Sequence, residues 1–397
     1  MERSILCFSS TDWDGIWGSR QQVMLRFARR GYSVLFVERP AGPEHLLRYP
    51  DLRWRKLRRW REGLRSVAGN LWIASLPLLL PGRYYSSAIN RINQRLTIRW
   101  SSRYVSKLGF SSPILWLYNP EQGQLIGQFG ERLSVYHCID EFAAGTAGRK
   151  RRVISALEAE LLCRADIVFA NSSLTYENKR LFNEHTYRIP SGADVEHFAR
   201  AFVDPERPSA ALPLHPAVAE IPHPIAGYIG NVDNRIDTEL LATAALELPD
   251  WQFVLVGQTY PQSADLGALM RCHNVHFLGS FPFEQVPALV QAMDVCLLPY
   301  VPGEVTRYRS PLKLYEYLAA GKPIVSTDQP EVGEFSAWVK IAVTPEEFVA
   351  AIPRALEDDC LQKRRGRVQV AQIHSWDRRV DEMERLMWAY LETKDAR

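Results

Sequence analysis

"RSILCFSSTDWDGIWGSRQQVMLRFARRGYSVLFVE", residues 3–38, decides the fold class. A strand-like apolar run is followed by turn residues, then by apolar positions at helical spacing up to Gly31, then by a second apolar run. That order predicts a βαβ unit, and such units build parallel sheets with helices on their faces. Further strands are predicted at "NLWIASLP" (70–77), "PILWLYN" (113–119) and "LSVYHCID" (133–140), and "RKRRVISALEAELLCRA" predicts a helix leading into the strand "DIVFANS".

The rhythm breaks at 204–224, where six prolines fall within 21 residues, and then restarts with "IAGYIG", "TELLATAALEL", "WQFVLVG", "VHFLGS", "FEQVPALVQAM", "DVCLLPY" and "PIVST". The 397 residues are therefore expected to form two α/β domains, at roughly 100–200 residues each. The predicted division is 1–203 for a first Rossmann-like domain, 204–224 for a proline-rich linker, 225–374 for a second domain, and 375–397 for a helix returning to the first. Met383, Leu386, Met387, Tyr390 and Leu391 give that last helix an apolar stripe that must be covered. Two doubly wound sheets are expected to face one another across a cleft, with ligands at strand C-terminal ends.

The chain is 46% hydrophobic, with no low-complexity tract or solenoid repeat. No segment approaches the roughly 20 apolar residues of a spanning helix, and the first residues do not read as a secretory signal, so a cytoplasmic location is expected. The six cysteines are scattered without a Cys-x-x-Cys pair and read as reduced core residues. Net charge is only +3, yet residues 1–110 hold 20 Lys/Arg against 7 Asp/Glu, which leaves the remainder acidic. The stretch 48–65 carries eight basic and two acidic residues with Trp54, Leu57 and Leu64 at helical spacing, and 82–107 extends the basic, aromatic character. An amphipathic helix of this kind suits an anionic membrane surface, so the 48–107 region is expected to dock on the inner face of the cell membrane, and no nucleic-acid motif accompanies it.

The motif "SPLKLYEYLAAGKPIVST", 310–327, puts Lys313 and Glu316 on one helix face near a start at Pro311. Helix N–H groups and Lys313 favour an anion there, and Glu316 one turn on could accept hydrogen bonds from hydroxyls; an intrahelical ion pair on a core helix is the plain alternative. The loop "TDWDGIWGSRQQ" carries Gly15 and Gly18 between strand and helix, where backbone can approach a ligand, but it is neither a dinucleotide fingerprint nor a Walker loop. Trp13, Asp14, Gly15 and Arg20 are the candidates on it, with stacking on a sugar or plain packing both open to the tryptophans. Asp140 and Glu141 follow a strand, where a general base could stand, and His137 reads equally as a core histidine.

In order along the chain, "RADIVFANSSLTYENKRLFNEHTYRIPSGADVEHF", "GYIGNVD", "VHFLGSFPFEQVPALVQAMDVCLLPY" and the Lys313–Glu316 motif resemble GT-B glycosyltransferases. The pattern is similar to that of enzymes of cell-surface polysaccharide assembly, the teichuronic-acid-type transferases and the xanthan-type glucuronosyltransferase. The resemblance implies a nucleotide-sugar donor, UDP by analogy, held by Gly230, Asn231, Arg235, Ser280, Phe281, Tyr300, Ser310, Leu312, Lys313 and Glu316. It implies an acceptor, sugar or lipid-linked sugar, met by Trp13, Asp14, Gly15, Arg20, His137 and Glu141 in the first domain. The donor half holds no Asp-x-Asp of the metal-dependent transferases, so neither a metal nor a separate cofactor is expected. Retaining members carry a second Glu eight residues before the ribose Glu, but here that position is Tyr308. Asn231 also replaces the usual Arg, and Arg235 only approximates the usual Lys. The likeness to an inverting enzyme therefore points to Asp140 as general base; a retaining transferase, a UDP-sugar 2-epimerase and a non-catalytic binding protein are the alternatives.

Overall fold

The computed structural model describes residues 3–40, 50–203, 206 and 212–395. Two parallel sheets account for the alternating strand and helix pattern, one in each of two compact units. Unit 1 comprises Met1–Pro190 together with Val380–Arg397, and unit 2 comprises Ser191–Arg379.

The sheet of unit 1 contains β1 (Ser4–Phe8), β2 (Ser33–Val37), β3 (Leu64–Ala68), β4 (Leu71–Ala74), β5 (Ile114–Leu117), β6 (Leu133–Cys138), β7 (Ile167–Ala170) and β8 (Thr186–Arg188). Their order is β3-β4-β2-β1-β5-β6-β7-β8, parallel throughout except for β3 against β4. Every residue of β1, β5, β6 and β7 is buried, which is why these strands read as unbroken apolar runs: helices cover both faces. The chain reverses its direction of winding between β1 and β5, the position where such sheets bind ligands.

Unit 2 repeats the plan with β9 (Ile225–Ile229), β10 (Gln252–Val256), β11 (Val275–Gly279), β12 (Val295–Leu298), β13 (Ile324–Thr327) and β14 (Lys340–Ala342) in the all-parallel order β11-β10-β9-β12-β13-β14. Its winding reverses between β9 and β12. The division falls at Pro190, earlier than the proline-rich stretch suggested, because Ala193, Phe198 and Ala201 pack into the unit 2 core with Leu314 and Leu318. Residues 204, 205 and 207–211 of that stretch, like Arg48 and Tyr49 of the basic segment, lie outside the described residues.

The last helix, Trp376–Asp395, packs on unit 1 from Val380 onward. Met383, Met387 and Leu391 are buried, and Tyr390 donates to Asp166 at 3.0 Å. Tyr32 donates to Glu384 at 2.8 Å and accepts from the Trp388 indole at 3.1 Å. The basic amphipathic helix exists as Pro50–Glu62, but Leu64 begins β3 rather than a further turn, because Gly63 at φ 74° ends the helix.

Candidate functional site

In unit 2, Gly230, Asn231, Arg235 and Tyr300 gather after the C-terminal ends of β9 and β12, the reversal point of the sheet. Gly230 leaves β9 with φ 156°, and a Cβ there would meet the Tyr228 hydroxyl at 2.4 Å, so the tight exit needs glycine. The loop that follows is fastened to the end of β12: Asp237 donates its N–H to Pro299 at 2.8 Å, and Val301 donates to Arg235 at 2.9 Å. Arg235 is braced by Asp233, with its Nε 2.7 Å from Oδ1. Tyr300 accepts this frame from the other side, its N–H bonded to Thr327 Oγ1 at 3.1 Å. Burial pushes its phenol up to about 12 against the opposing pull of Arg235 and Arg309. Asn231 contributes its carbonyl to the Tyr228 hydroxyl at 3.2 Å. Ser280 is exposed just past β11, and Phe281 packs edge-on to His215 at 4.9 Å between ring centres.

The helix Leu312–Ala319 starts beside this frame in sequence, with Pro311 as N-cap and no acidic residue in its first turn. It stops at Gly321, φ 68°, where Gly321 donates to Leu318 at 2.9 Å and Lys322 to Tyr317 at 3.1 Å, a Schellman closure that explains the "AAGKP" sequence. Its start is pinned by Ser310, whose Oγ accepts from the Ser191 N–H at 3.1 Å and whose carbonyl accepts from Ser191 Oγ at 3.1 Å. Lys313 donates to Glu316 at 2.6 Å. Glu316 is only 3% exposed, so this is no ordinary surface pair. Burial raises the Glu316 carboxyl, Lys313 works against that shift, and Asp194 adds to it. A buried carboxylate below a half-buried ammonium at a helix N-terminus offers anion binding above and hydroxyl recognition below. Leu312, half-buried, is the first residue of that helix. Tyr308, at the position of the missing second Glu, lies under the Arg307 guanidinium at 5.6 Å.

In unit 1, Asp140 follows β6 directly and is reached by Arg20 Nη2 at 3.4 Å, and Arg20 also sits 5.7 Å from the Tyr118 ring centre. Arg20 comes from the first turn of the helix Ser19–Arg29, so the loop after β1 and the end of β6 meet at this pair. Glu141 faces inward instead: Lys179 bonds it at 3.0 Å and Glu158 at 2.8 Å. Burial disfavours the Lys179 charge, but Cys138, Glu158 and Glu141 outweigh it and hold the group protonated. His137 is 1% exposed among Trp116, Tyr118 and Phe169, and burial, helped by Arg20, lowers it to about 3. It is a neutral core histidine. Trp13 is buried edge-on to Trp17 and Phe36, its N–H bonded to Glu38 at 3.0 Å, so it packs rather than presenting a face for stacking. Asp14 is taken by Arg59 at 2.7 Å and Arg65 at 2.8 Å, and Gly15 donates to Asp12 in the loop turn at 3.3 Å.

Three groups escaped the sequence reading. Gln21, 1% exposed, bonds the carbonyls of Asp12, Trp13 and Ile16 and accepts from the Gly18 N–H, so it shapes the whole loop; a glutamine three residues after a helix cap was the available signal. Arg309 acts on both Tyr228 and Tyr300, and Asp194 on Glu316, although Asp194 is distant in sequence. Among the described residues no three His, Cys, Asp or Glu side chains come together as a metal site.

Residues 223–358 match the family described as "Glycosyl transferases group 1". Over 258 residues the chain is 28% identical to a candidate teichuronic acid biosynthesis glycosyltransferase, TuaH, of Bacillus subtilis (strain 168), which covers 61% of this chain and 63% of that protein. The match thus spans under two thirds of the relative's length. Among solved structures, sucrose-phosphate synthase from Thermosynechococcus elongatus matches at TM-score 0.69 with 19% identity, over 99% of this chain and all of that one. Anabaena HepE, in complex with UDP and glucose, matches at TM-score 0.63 with 15% identity, over 98% of this chain and 100% of that one. The chain therefore has the GT-B fold, and residues 223–358 of its second unit are similar to the glycosyltransferases of group 1.

Proposed function

We propose that the protein transfers a sugar from a UDP-sugar to a hydroxyl of a lipid-linked or polysaccharide acceptor at the cytoplasmic face of a membrane, with inversion at the anomeric carbon. The observation that carries the reading is the Glu316 carboxylate, buried beneath Lys313 inside a group 1 domain. In this reading Lys313 and the N–H groups of the helix Leu312–Ala319 take the diphosphate, and Glu316 takes the ribose hydroxyls. UDP is favoured because HepE was solved with it. Arg235, Tyr300 and Arg309 line the neighbouring loops and supply further positive charge and a phenol.

The acceptor hydroxyl gives its proton to Asp140 as its oxygen attacks the anomeric carbon. The bond from that carbon to the diphosphate oxygen breaks, and UDP leaves with the electron pair, its charge met by Lys313 and the helix end. Arg20 donates to Asp140 at 3.4 Å and so orients it. Tyr308, where a retaining enzyme would place a Glu, supports inversion. A panel of UDP-sugars with chemically defined acceptors, and NMR of the product's anomeric linkage, tests the reading: an inverted linkage is expected, and a retained one overturns the role of Asp140. Consumption of UDP-sugar without acceptor would instead identify an epimerase or hydrolase.

A further inference from the structure

The helix Ser87–Lys107 contains no Asp or Glu. Arg91, Arg95, Arg99 and Arg103 recur on it every four residues, and all four are exposed. At 100° per residue they fall within an arc of about 120° and run along roughly 18 Å of helix axis. Opposite them, Asn90, Asn93, Gln94, Thr97, Ser101 and Val105 are buried against the unit. Arg103 lies over the Trp100 ring at 4.5 Å, and none of the four has a carboxylate partner among the described residues. Like charges four apart on a helix repel, so the row is unfavourable unless an anion answers it.

Exposed apolar side chains accompany the row. Ile92, 45% exposed, shares its arc. Tyr85, 54% exposed, stands one residue before the helix's N-cap Ser86. The more basic helix Pro50–Glu62 is built differently: Lys56 bonds Asp12, and Arg59 bonds Asp14 and Glu38, so these cations turn inward and brace the loop after β1, while Arg58 pairs with Glu62.

We propose that the Arg91–Arg95–Arg99–Arg103 face, with Ile92 entering the headgroup layer, is the surface by which the protein docks on an anionic bilayer. The inference rests on the reading above that the enzyme works at a membrane. Unpaired cations meet phosphate headgroups, and the exposed Ile92 side chain among them favours a lipid surface over a nucleic-acid backbone.

The test uses the full chain with phosphatidylcholine vesicles and with equimolar phosphatidylcholine–phosphatidylglycerol vesicles. Flotation is expected with the anionic vesicles alone and should fall as salt rises. R91E/R95E/R99E should reduce the partition coefficient on the order of a hundredfold, at roughly fivefold per arginine, whereas R91K/R95K/R99K should bind as the unaltered protein does. Undiminished binding of the glutamate variant overturns the proposal, and so does binding to duplex DNA without binding to vesicles. A UDP-induced thermal shift in the glutamate variant shows that it is folded. Absence of that shift in the unaltered protein counts against the donor site instead, whatever the vesicles show.

Discussion

Lys313 reaches Glu316 at 2.6 Å, yet the two differ in environment: the ammonium is half-buried and the carboxylate is almost wholly enclosed. The stability of the fold and the proposed binding of a nucleotide therefore make opposite demands on position 316. Burial raises the Glu316 carboxyl, so its ionised form works against folding, and stability falls as pH rises from the ordinary carboxylate range through the raised value. Glu316→Gln is expected to keep or raise the melting temperature at neutral pH while weakening UDP by roughly ten- to a hundredfold, through loss of hydrogen bonds to a charged acceptor. Calorimetric titration and a thermal melt of the same sample check both halves; unchanged UDP affinity removes Glu316 from the site. Lys313→Ala should weaken UDP as well.

Asp140→Asn keeps the shape of the carboxylate and removes its basicity. Turnover should fall by about 10²- to 10⁴-fold with UDP affinity unchanged. Full activity in this variant would eliminate Asp140 as base. Because the proposed chemistry takes its positive charge from Lys313 and a helix end, excess chelator should leave turnover unaltered.

His137 gives the fold an acid limit. Its ordinary value of 6.5 in the unfolded chain drops to about 3 in the core, so the unfolded state binds the extra proton between these values. Stability is complete above pH 6.5 and declines as pH falls toward 3, by roughly 1.4 kcal/mol per pH unit at most. His137→Phe, which suits the surrounding Trp116, Tyr118 and Phe169, should flatten that part of the urea-midpoint curve. Lost turnover in a folded His137→Phe protein would show that the imidazole does more than pack.

Lys179 compensates two buried acids at once. Lys179→Met removes the cation paired with Glu158 and Glu141 and should cost about 3–5 kcal/mol, measured by denaturant unfolding. Gly321→Ala should destabilise by more than about 1 kcal/mol, since its φ is 68° and a Cβ would come within 2.6 Å of Phe202.

Much of this architecture can be read from the chain because both sheets are buried on two faces. An unbroken apolar run such as "SVLFV" signals such a strand locally, and Gly31 or Gly321 marks where its helix ends. The helix Pro345–Glu357 does carry a signature, a capping box of Thr344 and Glu347 with proline at its first position, that the reading passed over, whereas Leu361–Ile373 and the short β14 carry none so plain. The Lys313–Glu316 pair was legible because both partners lie on one helix turn. Trp13, Glu141 and His137 were harder, because their surroundings come from distant segments: Phe36 and Glu38, Lys179, and Trp116 with Phe169. The direction of the Lys56 and Arg59 side chains had the same cause, since Asp12, Asp14 and Glu38 are what draw them inward.

The helix Trp376–Asp395 supplies unit 1 with partners for Tyr32 and Asp166 from its part beyond Val380, although all of unit 2 is synthesised before that part. On a ribosome, then, the first unit to emerge is the last to be finished. A fragment ending near residue 190 would leave Tyr32 and Asp166 without Glu384, Trp388 and Tyr390. A stand-alone first unit calls instead for a circularly permuted gene that brings residues 380–395 next to Arg3.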